Sequence, residues 1–342
     1  MTAVDPKISV VMAVKNGGLL VREAVDSILN QSFSDFELII INDGSTDSTL
    51  EVLNSYEDTR IRIFSQENKG LSRSLNRGIE LSRGEFIARQ DHDDLSLPTR
   101  LEKQLQYMLQ NQHCGLLGTC AEIWSMKGST GRVHDHPTSP GELAFDLIFN
   151  NPFVHTSWML RKKVLDKVGY YAIDPAREPP EDYELASRIA RSYDVANLPE
   201  RLVIYREVDN SLSSQIRPTH GNVKNTFAAK LALISGENLS FACGFDDLTK
   251  NAINFGALTH SFYAGIVGKP DLKSMQNMLS FAASKLEDRY PGLELKFQLA
   301  KRQENIRHQF YLHFESRSFL KKVYSRFFQK MKRVLWRLRA KV

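Results

Sequence analysis

Four short apolar runs alternate with stretches of helical spacing in the first 110 residues, and this alternation constrains the fold more than any other feature. Ile8–Val14 (ISVVMAV), Phe36–Ile41 (FELIII), Ile61–Phe64 and Glu85–Ala88 read as strands. The spacing predicts helices over Leu19–Leu29, from Ser48 to Leu53 onward, and over Leu71–Leu81. Continuous apolar strands separated by helices make a parallel sheet covered on both faces. Ligands on such a sheet bind outside the carboxyl ends of its strands.

The polar clusters fall at those ends. Lys15-Asn16-Gly17-Gly18 follows the first strand, the segment from Asn42 through Asp43 to Asp47 the second, and Gln66–Gly70 the third. Turn chemistry accounts for part of this, since strand-to-helix connections need Gly, Asn, Asp and Ser, and Ser45 and Asp47 read as a turn and a helix cap. The fourth cluster is different. FIARQDHDDLSLPTRL places Asp91, Asp93 and Asp94 within four positions, and carboxylates so close repel one another unless a cation lies between them. With no Cys and only His92 nearby, such a set suits a hard divalent ion, Mg²⁺ or Mn²⁺, which takes one or two carboxylates and completes its shell with waters and substrate phosphates. His92 reads as pointing elsewhere.

Neither G-x-G-x-x-G nor G-x-x-x-x-G-K-[ST] is present, which counts against a dinucleotide oxidoreductase and a P-loop NTPase. A second acidic pair, Glu181-Asp182, follows Pro179-Pro180 at the start of a predicted helix over Tyr183–Arg191. Acids are favoured at a helix N-terminus, and a catalytic role is open beside that one. Further predicted elements are a helix from Pro98 to about Leu109, strands over Gly115–Trp124, Phe153–Leu160 and Leu202–Tyr205, and a polar hairpin region up to Pro140. Helical patterns dominate after Arg217, with a soft boundary between Ser211 and Arg217. The predicted organisation is a domain over 1–215, with a donor half over about 1–110 and an acceptor half over about 111–215, then a helical region over 216–315.

Charge is distributed unevenly. Ten of the 45 Lys and Arg residues, and none of the 40 acids, lie between Ser316 and Val342, so the rest of the chain is mildly acidic. Phe319, Leu320, Val323, Tyr324, Phe327, Phe328, Met331, Val334, Leu335 and Leu338 recur there at helical spacing. Residues 316–342 therefore read as a basic amphipathic helix fit for an anionic membrane surface; packing on the body is the alternative, and nucleic acid is not the partner favoured. The three cysteines form no C-x-x-C pair, which favours a reducing compartment. The N-terminal MTAVDPKISVVMAV lacks the pattern of a signal peptide, and no run of 18 apolar residues occurs. The expected location is cytoplasmic, peripheral to the inner face of the cell membrane.

Residues 8 to about 205 resemble the family 2 glycosyltransferases. The resemblance rests, in order, on ISVVMAVKN, SILNQSFSDFELIIINDGSTDST, NKGLSRSLNRGIELSRGEFIARQDHDDLSLPTRLEKQ, NPFVHTSWMLRK and EDYELASR. It implies an α/β class and the GT-A nucleotide-diphospho-sugar transferase fold, with a mostly parallel central sheet flanked by helices and a helical C-terminal extension. It implies that Ala13 and Val14 line a nucleotide pocket, that Asp43 contacts the base, and that Asp91 and Asp93 form the DxD element, Asp93 being the more direct metal ligand. Asp94 is expected to support the helix that begins at Pro98. Asp182 becomes the general base, with Glu181 beside it near the acceptor. His155 falls on the acceptor side, where packing is the other role open to it. Arg73 either neutralises a phosphate or is a solvated helix arginine.

The implied activity is inverting transfer of a sugar from a nucleotide-sugar donor, most simply a UDP-sugar, with dTDP or GDP as alternatives. The acceptor is a hydroxyl of a glycan or lipid-linked saccharide, as in bacterial cell-surface polysaccharide synthesis. Two rival functions share the sequence: a catalytically silent, membrane-attached sugar-nucleotide-binding protein, and a sugar-nucleotide pyrophosphorylase. The latter wants a Gly-rich basic loop after the first strand, and KNGGLLVRE is a poor version of one.

Overall fold

The computed structural model describes residues 5–208 and 221–314, and the side chains of 221–225 are left aside. The basic segment over 316–342 lies outside the described residues. Contacts divide the chain into two compact units, Met1–Lys224 and Asn225–Val342.

The first unit is built on a nine-stranded sheet. Its first four strands are β1 (Ile8–Val14), β2 (Phe36–Asp43), β3 (Ile61–Gln66) and β4 (Phe86–Asp91). Every residue of β1 and β2 is buried, as runs without polar alternation require. β1 pairs in parallel with β2 from Ile8↔Phe36 to Val14↔Asn42, and with β4 from Ile8↔Phe86 to Ala13↔Asp91. The order β3-β2-β1-β4 shows that the chain runs outward from β1 and then returns to its other side. That reversal opens a crevice at the carboxyl ends of β1 and β4, where Ala13 stands opposite Asp91. Helices α1 (Leu20–Leu29), α2 (Thr49–Asn54) and α3 (Leu71–Leu81) make the crossovers. Val21, Ala24, Val25 and Ile28 of α1 recur at helical spacing and join the core with Val10, Met12, Leu38 and Ala88.

Beyond β4 the sheet becomes mixed, in the order β4-β8-β6-β9-β5 with β7 on β6. Here β5 is Leu95–Ser96, β6 Cys114–Ser125, β7 Gly128–His134, β8 Met159–Arg161 and β9 Asp194–Glu207. Four helices accompany them: α4 (Arg100–Gln110), α5 (Pro140–Asp146), α6 (Lys162–Val168) and α7 (Glu181–Ser192). The strand predicted over Phe153–Leu160 is a correction: His155–Ser157 is a 3-10 turn, and only Met159–Arg161 is strand. The polar side chains explain it. Ser157 Oγ donates to Val154 O at 2.7 Å and accepts from Thr119 N at 3.0 Å, while Thr156 Oγ1 accepts from Asp91 N at 3.0 Å, so side chains serve where ladder bonds would run.

Four α-helices are described from the second unit: α8 (Gly221–Ala242, which begins just before Asn225), α9 (Lys250–Thr259), α10 (Leu272–Arg289) and α11 (Lys296–Phe314). Phe255, Leu258, Met275, Leu279 and Ile306 are among its buried side chains. Gln303 Nε2 donates to Gln276 O at 3.2 Å and to Ser280 Oγ at 2.8 Å, which fastens α11 to α10. No described helix is long and apolar enough to cross a membrane.

Candidate active site

The end of β1 supplies Ala13 and Val14, both buried. At the end of β2, Asp43 is also buried, and its carboxylate is fully used. Oδ1 accepts from Gln66 Nε2 at 2.7 Å and Lys69 N at 2.8 Å, and Oδ2 from Gly70 N at 2.9 Å. With its amide turned to satisfy both neighbours, Asn68 adds a donor to Oδ2 at 2.9 Å and accepts from Lys15 Nζ at 2.9 Å. Asp43 thus fixes the loop between β3 and α3, and Gly44 lets that loop approach. Gly44 has φ +71°, and a Cβ there would lie 2.9 Å from Asn68 N. The N-cap of α2 is Ser48, one residue past the predicted Asp47, whose carboxylate accepts from Thr49 N and Gly18 N, each at 3.0 Å. Arg73, in the first turn of α3, is exposed, and its side chain makes no hydrogen bond or ion pair with the described residues.

The aspartates stand opposite. Oxygens of Asp91, Asp93 and Asp94 all lie within 4.8 Å of one another. Burial, and then the charge of Asp91, raises the carboxyl pKa of Asp93. Asp94 is raised well above the ordinary range by burial and by Asp91 and Asp93. Asp94 Oδ1 accepts from Arg206 N at 2.7 Å, and its buried Oδ2 has no hydrogen-bond partner. An orphaned buried carboxylate oxygen beside two more carboxylates fits a hard divalent cation, since the donor set is all oxygen. The expected support of the helix after Pro98 is electrostatic, through the charge of Arg100 at its start, while the hydrogen bond of Asp94 goes to β9. A Cβ on Gly17 would lie 3.0 Å from the His92 ring, and the charge of His92 also acts on Asp93.

On the other side, α7 begins with Glu181 and Asp182. Asp182 Oδ2 accepts from Asn151 Nδ2 at 2.8 Å and Oδ1 from Tyr183 N at 2.7 Å. Burial raises its pKa against the pull of these two donors and of Arg89. Glu181 is pushed up to about 8 by burial and by the charge of Asp182, so at neutral pH it carries a proton. His155 Nε2 meets Tyr171 Oη at 2.8 Å, and the ring packs edge-on to Trp158 with centroids 4.7 Å apart. Burial and the nearby Arg89 charge hold His155 well below its ordinary pKa, so the 4.0 Å approach of Nδ1 to Glu181 Oε1 joins neutral groups. Tyr171 N and O bond the Asn76 side chain of α3, both at 2.9 Å, and this clips the segment after α6 to α3.

Sequence reasoning missed Arg89, Asn151 and Arg206. Arg89 had a signal, because an arginine interrupts an otherwise apolar strand two residues before the first aspartate. Asn151 opens the quoted NPFVHTS stretch but had no chemistry attached to it. Arg206 is separated from the aspartates by more than a hundred residues.

The family model described as glycosyl transferase family 2 matches residues 9–169. An uncharacterized glycosyltransferase of Haemophilus influenzae is 31% identical over 269 residues, which covers 75% of this chain and 81% of that protein. The chain belongs to glycosyl transferase family 2. Other relatives in the family include the putative glycosyltransferase EpsE of Bacillus subtilis, 35% identical over 59% of this chain and 73% of that one. The O-antigen biosynthesis glycosyltransferase WbnJ of Escherichia coli is 38% identical over 58% of this chain and 79% of its own. Among solved structures, S. aureus TarS 1-349 matches with a TM-score of 0.57 at 17% identity, covering 92% of this chain and 93% of that one. The complex of TarS 1-349 with UDP-GlcNAc gives 0.58. At that identity the likeness speaks to the fold, which is GT-A with a helical C-terminal region. This family 2 chain is accordingly a glycosyltransferase.

Proposed function

We propose that the protein transfers a sugar, with inversion, from a UDP-sugar to a hydroxyl of a glycan or lipid-linked saccharide. The observation that carries this reading is the acidic cluster at the end of β4, where oxygens of Asp91, Asp93 and Asp94 lie within 4.8 Å of one another, in a unit that also sets Glu181 and Asp182 at the start of α7. Asp182 takes the proton of the acceptor hydroxyl, whose oxygen attacks the anomeric carbon as the bond to the diphosphate breaks on the opposite side. The leaving diphosphate departs with the electron pair of that bond. Asp93 and Asp91 would hold a divalent ion, which when bound supplies Lewis-acid stabilisation of the departing charge. Glu181, protonated, adds no second negative charge beside the base and can donate a hydrogen bond to the acceptor.

Ala13, Val14 and Asp43 form the wall for the nucleotide. Asp43 accepts base or ribose donors by exchanging them for the loop donors it now holds, and Arg73 is free to meet a phosphate. UDP is the favoured nucleotide; TarS 1-349 binds UDP-GlcNAc and UDP. A cell-surface polysaccharide fits relatives named for O-antigen and teichuronic acid biosynthesis. The basic segment over 316–342 is assigned to the anionic inner face of the membrane, which brings a lipid-linked acceptor within reach.

The test is thermal stabilisation by UDP-, dTDP-, GDP- and CMP-sugars, with Mn²⁺ or with EDTA, in wild type and Asp93→Asn. A ligand that binds only the folded state raises its melting temperature. UDP-sugars that stabilise only with metal, and only the wild type, support the reading. Stabilisation that ignores both metal and Asp93 removes the cation from it.

A further inference from the structure

A carboxylate at the start of a helix turns about its own side-chain bonds unless both of its oxygens are held. Asp182 Oδ1 is held from within α7, by Tyr183 N at 2.7 Å. Its Oδ2 is held from outside the helix, by Asn151 Nδ2 at 2.8 Å. Asn151 lies in the stretch 150–154, which is neither helix nor strand. Its Oδ1 accepts from Phe153 N at 3.2 Å, a turn closed by the side chain that fixes which way the amide faces. With the oxygen committed to its own segment, the amide N–H group is the part left to meet Asp182.

A stretch without ladder or helix bonds has to be placed by its neighbours. Asn197 of β9, 3% exposed, does so: its Nδ2 donates to Pro152 O at 3.2 Å and to Pro137 O at 3.0 Å. Gly118 of β6 stands opposite Asn197 in the ladder, and a Cβ there would overlap the Asn197 side chain, so the close approach needs a glycine. A different bond docks the helix itself. Tyr183 Oη donates to Leu147 O at 2.8 Å, and both residues are buried. That bond fastens α7 to the chain just past α5 whether or not Asn151 is present. The bond between Asn151 and Asp182 joins two half-buried residues and sets the direction of a single carboxylate.

We propose that Asn151 is a positioning residue for the transfer: its amide N–H holds one oxygen of the Asp182 carboxylate, so that the base meets the acceptor hydroxyl in one orientation. The inference rests on the proposed role of Asp182. A hydrogen bond donated to a carboxylate also favours its charged form, the form that takes up a proton. Glu181, Tyr171 and Arg89 act electrostatically with Asp182 as well, and a change at Asn151 leaves all three in place.

The test compares the full chain as wild type, Asn151→Ala and Asn151→Ser. Serine keeps an acceptor for Phe153 N and is too short to reach Asp182, so it removes the contact with least risk to the turn. Nucleoside diphosphate release is followed against pH at saturating Mn²⁺, with the sugar nucleotide that stabilises the wild type and water as acceptor. In both variants kcat falls by up to about 10²-fold at an unchanged donor KM, the scale for a misplaced reacting group. The acid limb of the profile moves up by about one pH unit, the span for one hydrogen bond lost to a charged group. The pH midpoint of Asp182, read from ¹³Cγ-aspartate labelling and assigned by its loss in Asp182→Asn, moves up with it. An Asn151 that only supports the fold would lower the melting temperature and leave limb and midpoint alone. Wild-type kcat and acid limb in Asn151→Ser overturn the proposal. If the wild type releases no nucleoside diphosphate, the proposed function is contradicted instead, and the Asp182 midpoint still decides whether Asn151 holds the carboxylate: moved up in Asn151→Ser it does, unmoved it does not.

Discussion

The backbone N–H of Arg206 donates to Asp94 Oδ1 at 2.7 Å, so the end of the last strand in the sheet is tied to the turn that carries the aspartates. Arg206 closes the same corner with its side chain, bonding Asp93 O and, at 2.6 Å, Glu23 Oε2 of α1. Cutting the carboxylate out leaves a buried N–H without a partner. Asp94→Ala is therefore expected to destabilise the fold by about 1–3 kcal/mol in urea unfolding, the range for an orphaned buried group. Asp94→Asn keeps an acceptor for Arg206 N and loses less.

Protons and metal compete for the aspartate cluster. Burial and Asp91 raise the Asp93 pKa, so Asp93 takes up its proton at a higher pH than an ordinary carboxyl. A cation must displace that proton to bind. Mn²⁺ affinity, followed by calorimetry, falls as the pH is lowered from 7.5 to 5.5, with proton release on binding. Asp93→Asn abolishes most of the affinity and its pH dependence together.

Glu181 gives stability a slope of the opposite sign. Its pKa rises from an ordinary 4.5 to about 8 in the fold, so between those values the native state holds a proton that the unfolded chain has lost. The contribution is present in full below 4.5 and is lost as pH rises through about 8. Melting temperatures of wild type and Glu181→Gln are expected to diverge in favour of the variant across that window and to run parallel above it.

The helical unit offers an independent check on packing. A Cβ on Gly256 of α9 would lie 2.0 Å from Ala232 O of α8, far inside contact distance. Gly256→Ala ordinarily gains up to ~1 kcal/mol of helix propensity. Here the clash outweighs it, and a net loss of about 1–3 kcal/mol is expected in the unfolding of the full chain.

The parallel half of the sheet was legible because β1 and β2 are unbroken apolar runs that have no other way to be buried. The second half was harder, for reasons seen in particular residues. Leu95–Ser96 is too short to carry a period. β9 was predicted only from Leu202, because Pro199 and Glu200 interrupt it; the ladder steps over them, from Leu198 opposite Thr119 to Arg201 opposite Cys120. Among the candidate site residues, Asp91 and Asp93 stood out by charge and spacing, whereas Asp182 read equally as an acid at a helix N-terminus and was singled out by the family resemblance. Asn151 and Arg206 act through contacts made only when distant segments meet, and no local pattern marks them.

Asp182 is proposed to be the base of the sugar transfer. The most direct measurement is nucleoside diphosphate release from the sugar donor, with Mn²⁺ and an acceptor hydroxyl or water, in wild type and Asp182→Asn. Thermal stabilisation by the same donor is followed in parallel. Release is predicted to fall about 10²–10⁴-fold, the usual contribution of a positioned base, with donor binding retained. Release at the wild-type rate from Asp182→Asn would contradict the account.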